Sequence, residues 1–269
     1  MFKFAQLCID RKIPFATIFG NHDDEGDMTR KELMDLLTEL PYSVAIHGLD
    51  SVDGVGNYLV AVEKQYSHDI AIALWFLDTH KYTPNERKYP GYDWLKDSQI
   101  DWFKWQFEQL EPWPLDTLHA AFIHIPLTEY RTVTNAVIGG WREGPTGPVY
   151  NSGFREALAE KNVMVVTAGH DHANDYCMLD EMERNREEQT WMCYGGGGGY
   201  VGYGGYGGYE RRFRIFEVHV TLSHCMQGAN CSLMLLLELL GRGNALIWIR
   251  RILIPGKRDW MNRISLIIG

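Results

Sequence analysis

The sequence predicts a layered α/β fold, and three observations carry that reading. Short apolar runs of strand length alternate with segments of helical periodicity. The run 71–77 is apolar at nearly every position before Asp78, as a strand covered on both faces requires. Ligand-type residues stand directly after several runs, and in layered α/β folds ligands sit beyond strand ends.

The elements follow in order. The apolar run 15–19 reads as a strand ending in Gly20-Asn21-His22-Asp23. Leu33, Leu36, Leu37 and Leu40 recur at helical spacing, Thr29 and Glu32 form a capping box ahead of them, and Pro41 closes the helix. Segments 58–63 and 71–77 read as strands. Segment 97–110 is an aromatic-rich helix stopped by Pro112 and Pro114. Then come a strand at 118–124, a short helix at 153–161, and strands at 163–168, 191–194 and 213–218.

The 269 residues are 45% hydrophobic, enough for one enzyme-sized core. A formal net charge of −9 argues against a nucleic-acid partner, which would call for a basic face. The five cysteines, Cys8, Cys177, Cys193, Cys225 and Cys231, are odd in number and scattered. They suggest neither a disulfide framework nor a zinc ribbon, so a reducing, cytoplasmic setting is expected. The first ten residues bring charges too early for a signal-peptide core, and no apolar run reaches membrane-spanning length.

Three motifs carry chemistry: Gly20-Asn21-His22-Asp23, His124 after the run 120–123, and Gly169-His170-Asp171-His172 after the run 163–168. Asn21 offers an amide oxygen, and His124, His170 and His172 each offer a ring nitrogen. Such donors suit zinc, manganese or iron better than calcium. The two-residue step from His170 to His172 lets both face one way in extended chain and serve neighbouring metals. Two divalent ions roughly 3.5–4 Å apart can clamp a phosphate ester and activate a bridging water. His22, beside a ligand, is placed to protonate the leaving oxygen. His47, His68, His80 and His119 read as surface or satisfied core residues.

These motifs, with Gly54-Val55-Gly56-Asn57-Tyr58, Trp75-Phe76-Leu77-Asp78, Tyr92-Asp93-Trp94-Leu95 and Ile125-Pro126-Leu127-Thr128-Glu129-Tyr130, resemble the calcineurin-like metallophosphoesterases, in the purple-acid-phosphatase-related branch of plants and fungi. The resemblance covers about residues 4–218. It implies a metallophosphoesterase-type β-sandwich flanked by helices, and a metal-dependent phosphatase of phosphoproteins or small phosphomonoesters. Asn21, His124 and His170 would hold one metal, His172 would hold the other, and His22 would be catalytic.

The family also places an Asp-x-His and a Gly-Asp motif before Gly-Asn-His-Asp, and neither precedes Asn21 here. Asp78-Thr79-His80 spells Asp-x-His, but on the wrong side, and reads as coincidence. The expectation is therefore a C-terminal part of the enzyme, first strands missing, with one metal or none in place of two. The alternative function is a catalytically incomplete remnant that at most binds.

The glycine tract 195–208 reads as a close-packed loop near the site rather than a dinucleotide-binding turn, and 181–188 as a solvated charge run. Residues 219–269 form a divergent basic tail, helix-like at 233–240, whose stretch 245–254 could lie on a membrane. Asn230-Cys231-Ser232 matches the glycosylation pattern without a sign of secretion.

Overall fold

The computed structural model describes residues 2–64, 69–114, 117–132, 137–181, 189–198, 211–221, 234–241 and 261–268. Its elements are α1 (Phe2–Asp10), α2 (Arg30–Glu39), β1 (Tyr58–Glu63), β2 (Ile70–Phe76), α3 (Asp97–Gln109), β3 (Leu118–Phe122), β4 (Val137–Ile138), α4 (Phe154–Glu160), β5 (Val165–Ala168), β6 (Cys177–Glu181), β7 (Gln189–Tyr194), β8 (Arg212–Thr221), β9 (Met234–Gly241) and β10 (Met261–Ile268). A 3₁₀ turn, Thr128–Arg131, follows β3.

Strands β1 to β7 form one mixed sheet in the order β1-β2-β3-β5-β7-β6-β4, and β10-β8-β9 form a second, antiparallel sheet. Within the first, β2, β3, β5 and β7 run parallel, so their C-terminal ends share one edge.

Strand β2 shows why the layers form. Ala73 and Trp75 point into a core with Phe103 and Phe107 of α3 and Leu158 of α4. Ile72, Leu74 and Phe76 point the other way, into a core with Leu33, Met34 and Leu37 of α2. A strand apolar at both alternating sets can sit only between two layers. Phe216 and Val218 of β8 enter that second core, so the two sheets pack as a sandwich flanked by helices.

The helix signals held at residue level. Thr29 accepts from the Glu32 backbone while Glu32 reaches back to the Thr29 N–H, closing the capping box that starts α2.

Three expectations are corrected. Segment 15–19 is not a strand: it makes a single parallel bridge, Phe15 to Ser43. With no neighbouring ladder among the described residues, Thr17 turns instead to Tyr58, whose hydroxyl accepts from its N–H at 2.9 Å and donates to its carbonyl at 2.6 Å. The described part of the expected helix 233–240, residues 234–240, is not helical: β9 pairs with β8, with Phe213 opposite Leu240 and Val218 opposite Leu235. A continuous leucine run satisfies either period, and the exposed edge of β8 decides between them. The tail boundary drawn at 218 falls inside β8.

The third correction concerns the cysteines. Cys177 and Cys193 form a disulfide between directly opposed residues of β6 and β7. Sequence spacing could not show it, because the pairing depends on the register of two strands. Cys8 is a buried free thiol. Cys225, Cys231, the glycosylation pattern, His68, residues 182–188 and the stretch 245–254 lie outside the described residues. Among the described residues, no helix is long and apolar enough to cross a membrane.

Candidate metal and phosphate site

His124 follows β3 by two residues and His170 follows β5 by two, and these strands are parallel neighbours. The register therefore delivers both imidazoles to the same end of the sheet. The backbone continues that pairing, with Ile123 N–H donating to Thr167 and Gly169 N–H donating to His124.

Asn21 meets them there. Its Oδ1 stands 2.8 Å from His124 Nε2 and 3.0 Å from His170 Nδ1. The two rings are 5.3 Å apart and nearly perpendicular. Asn21 is 1% exposed, and its Nδ2 is buried without a hydrogen-bond partner. An amide held in place with one orphaned donor is explained by what its oxygen does, since burying an unpaired N–H is costly.

Glycines make room for this arrangement. A Cβ on Gly20 would stand 3.1 Å from the His124 ring, and one on Gly169 would meet the same ring at 3.1 Å. His170 itself takes a left-handed conformation, φ 72°, uncommon for a residue with a side chain and often found at ligand sites.

The turn carrying Asn21 is pinned from below. Arg30, at the start of α2, donates to the carbonyls of Gly20 at 2.8 Å and His80 at 2.9 Å, and pairs with the buried Asp78 carboxylate. Asp78 also accepts from the N–H groups of Val55 at 2.9 Å and His80 at 2.9 Å. His80 Nε2 meets Gln99 at 2.9 Å. Both ends of Asp78-Thr79-His80 are thus committed to scaffolding.

The loop carrying His170 and His172 is clamped as firmly. Asp171 accepts from Thr146 and from the Tyr194 hydroxyl, the latter at 2.6 Å. Asp175 pairs with Arg142 and Arg212. Buried Arg214 of β8 donates to the Tyr194 carbonyl at the end of β7 at 2.8 Å and to the Asp175 carbonyl, tying the second sheet to the same loop. Gly197 lies against His172, where a Cβ would come within 2.7 Å of the His172 carbonyl. The described part of the glycine tract is therefore close-packed beside the site, as its composition suggested.

Electrostatics favour neutral imidazole. Burial first, then the neighbouring His170, Arg30, His172 and His22, push His124 down to about 3. Burial also lowers His170 and His172, opposed by Asp171 and Glu143 respectively. A neutral ring carries one lone pair that a cation can take; in the structure the nitrogens facing Asn21 Oδ1 donate their N–H to it, since an amide oxygen only accepts.

The donor set can be compared with its expected ions. Two neutral imidazoles and an amide oxygen aimed at one point fit a single divalent ion of the zinc, manganese or iron kind. They do not fit two: among the described residues no three His, Cys, Asp or Glu side chains gather as a metal-binding group. The Asp171 carboxylate, the acidic group nearest in sequence to both histidines, is taken by Thr146 and Tyr194.

His22 stands at the mouth, its side chain 66% exposed, with Nδ1 held by Glu25 at 2.8 Å. Sequence reasoning missed Glu25 as its orienting group, Arg30 and Asp78 as the anchor, and Tyr92, whose ring meets His170 edge-on at 4.3 Å. Glu25 lies outside Gly20-Asn21-His22-Asp23, and Asp78 and Tyr92 stand in segments that the resemblance matched without giving them a role.

A mixed seven-stranded sheet with flanking helices and donors past its parallel strand ends is an α/β fold of the metallophosphoesterase type. The chain is 43% identical over 233 residues to "Phosphatase DCR2" of Saccharomyces cerevisiae, an alignment covering 82% of this chain and 40% of that protein. It is 34% identical over 232 residues to "Probable inactive purple acid phosphatase 14" of Arabidopsis thaliana (79% of this chain, 56% of that protein). It is 35% identical over 229 residues to "Probable inactive purple acid phosphatase 29" of the same plant (78% and 57%). The chain spans about 40–57% of the length of these curated relatives. No family model matches it. On these relationships the chain belongs to the purple-acid-phosphatase-related metallophosphoesterases.

Proposed function

We propose that this chain carries a metal-dependent phosphoester-hydrolase site, with phosphoprotein or small phosphomonoester as substrate. The observation behind the proposal is the meeting of His124 Nε2 and His170 Nδ1 at Asn21 Oδ1. Asn21, His124 and His170 would hold one divalent ion; a second, at His172, would need further ligands beyond those that gather among the described residues. A bound ion of this kind supplies Lewis acidity toward phosphoryl oxygens and lowers the pKa of a bound water.

The chain's own residues divide the remaining work. Arg30 and Asp78 hold the Asn21 turn still, so the donors are set before substrate arrives. Glu25 engages Nδ1 of His22, and the imidazolium form would give its Nε2 proton to the departing ester oxygen, leaving the neutral ring with Nδ1–H on Glu25.

A second reading has its own observation. Among the described residues no three His, Cys, Asp or Glu side chains gather as a metal-binding group, and two cations need a bridging anion to offset their repulsion. On that reading the 269-residue chain binds phosphate at one ion and turns over little. The names of the plant relatives make the same point about those proteins.

As for setting, the Cys177–Cys193 disulfide stands against the cytoplasmic expectation, because such bonds persist in oxidising compartments.

Hydrolysis of p-nitrophenyl phosphate with added manganese or zinc separates the two readings. The 269-residue chain is expected near background while still binding inorganic phosphate in an ion-dependent way. Strong ion-dependent turnover that disappears in His124→Ala would restore the two-ion mechanism for this chain.

A further inference from the structure

We infer that β1 is a docking edge for a second copy of this chain: two β1 strands pair antiparallel about a two-fold axis at Val60 and join two seven-stranded sheets into one. The inference stands apart from the donor cluster and its ion.

Strand β1 ends the first sheet and is paired with β2 alone, so its outer edge has no strand partner among the described residues. Proteins usually blunt such an edge with proline, lysine, a bulge or a very short strand. Residues Tyr58-Leu59-Val60-Ala61-Val62 carry neither proline nor charge, and their ladder is regular up to the register shift between Val62 and Glu63. The strand is also held firmly at its start. The Tyr58 hydroxyl bonds both the N–H and the carbonyl of Thr17, and a Cβ on Gly56 would stand 2.6 Å from Met34 of α2.

The edge is complementary to itself, which points to a second copy as its occupant. Directly opposed side chains of an antiparallel pair lie on one face, so a two-fold axis normal to the sheet must pass between a residue and its own copy. The midpoint of the regular stretch 58–62 is Val60. Centred there, Val60 meets Val60, Leu59 meets Ala61 and Tyr58 meets Val62, apolar throughout. Glu63 falls opposite Asn57, so no like charges are opposed. Symmetry supplies this match for a second copy, as an isologous interface requires.

The surface beside the edge continues the patch. Ile46 and Leu49 are 54% and 52% exposed. Gly56 N–H donates to the His47 carbonyl at 2.8 Å, and a Cβ on Gly48 would stand 2.7 Å from the Asn57 carbonyl, so the 46–49 turn lies against the start of β1. The register brings this turn beside the Val62 end of the other copy, which gives both side chains cover. An edge roughly 20 Å long and about 10 Å thick contributes only about 200 Å². Even with Ile46 and Leu49 the contact stays below the ~800 Å² per partner of a standard interface, so the dimer is weak and reversible. The C-terminal end of β2 lies beside Tyr58, so the antiparallel arrangement sends the two donor clusters to opposite ends of the joined sheet and leaves both open.

Sedimentation velocity of the 269-residue chain, from low to high micromolar concentration, tests this. The expected result is a monomer–dimer equilibrium. Val60→Lys sets two cations against each other at the axis and should weaken dimerisation at least about tenfold with an unchanged circular dichroism spectrum, while Val60→Thr should keep the dimer. A residue and its copy at the axis have Cα atoms about 4.5–5.5 Å apart, within disulfide reach. With oxidised glutathione, Val60→Cys should therefore form a covalent dimer above the background of the parent chain, and Val62→Cys, opposed by Tyr58, should not. A chain that stays monomeric at every concentration, a dimer indifferent to Val60→Lys, or cross-linking at 62 in place of 60 overturns the inference.

Discussion

His119 should make this protein acid-sensitive, by an amount the structure sets. The residue is 6% exposed on β3, enclosed by Phe107 at 4.7 Å, Trp113 at 4.8 Å and Trp75 at 6.4 Å between ring centres. Its Nδ1 accepts from the Trp75 indole N–H at 3.3 Å, so it must stay unprotonated to do so. Burial pushes its pKa down to about 4, from an ordinary value of 6.5. A histidine depressed in the folded state contributes stability that is complete above about pH 6.5 and lost as pH falls toward 4, because only the unfolded chain takes up the proton in that window. The full difference corresponds to about 3 kcal/mol, of which about 2 kcal/mol is lost by pH 5. Urea denaturation at pH 7.5 and pH 5 measures it. His119→Gln keeps an acceptor within the aromatic cluster and does not titrate. Its stability should fall by about 2 kcal/mol less than that of the parent over the same interval. Identical pH dependence in the two proteins would refute the reasoning.

Further perturbations test other parts of the account. Asp78→Asn removes the partner of buried Arg30 and should cost about 3–5 kcal/mol in denaturation experiments, with ion affinity falling as the Asn21 turn loosens. Replacing Cys177 and Cys193 together with serine opens a link between residues 16 apart and should cost about 3 kcal/mol; non-reducing peptide mass mapping should find those two residues linked and Cys8 free. Gly20→Ala presses on the His124 ring and should weaken ion binding with little change in melting temperature. Gly139→Ala adds a Cβ at φ 92°, 2.4 Å from the Asp175 carbonyl, and should lower melting temperature sharply by disturbing the clamp on the His170 loop.

What sequence could and could not convey follows from range. The strands 58–63, 71–77 and 118–124, and the helix begun by Thr29 and Glu32, are signalled by their own residues, and they formed where those residues put them. The convergence of Asn21, His124 and His170 was legible because each stands after an apolar run, even though the first run is not a strand. Partner choice over distance was not legible. Arg30 and Asp78 are 48 positions apart, and neither has a local reason to pair. The leucine run at 233–240 fits helix or strand until β8 offers an edge. Strand β6 escaped notice because Cys177 to Glu181 has too few β-branched residues to announce a strand; β7 alone makes it one. Tyr92 was matched within Tyr92-Asp93-Trp94-Leu95 without a role, and its place against His170 depends on a fold-back that brings it opposite Tyr82.

The central claim is that Asn21, His124 and His170 make a site for one divalent ion. Metal analysis after equilibrium dialysis of the 269-residue chain against zinc or manganese tests it most directly. The account predicts about one ion per chain, falling to background in both His124→Ala and Asn21→Leu while the fold, followed by circular dichroism, is retained. Two tightly held ions per chain, or one ion retained when His124 is replaced, would contradict it.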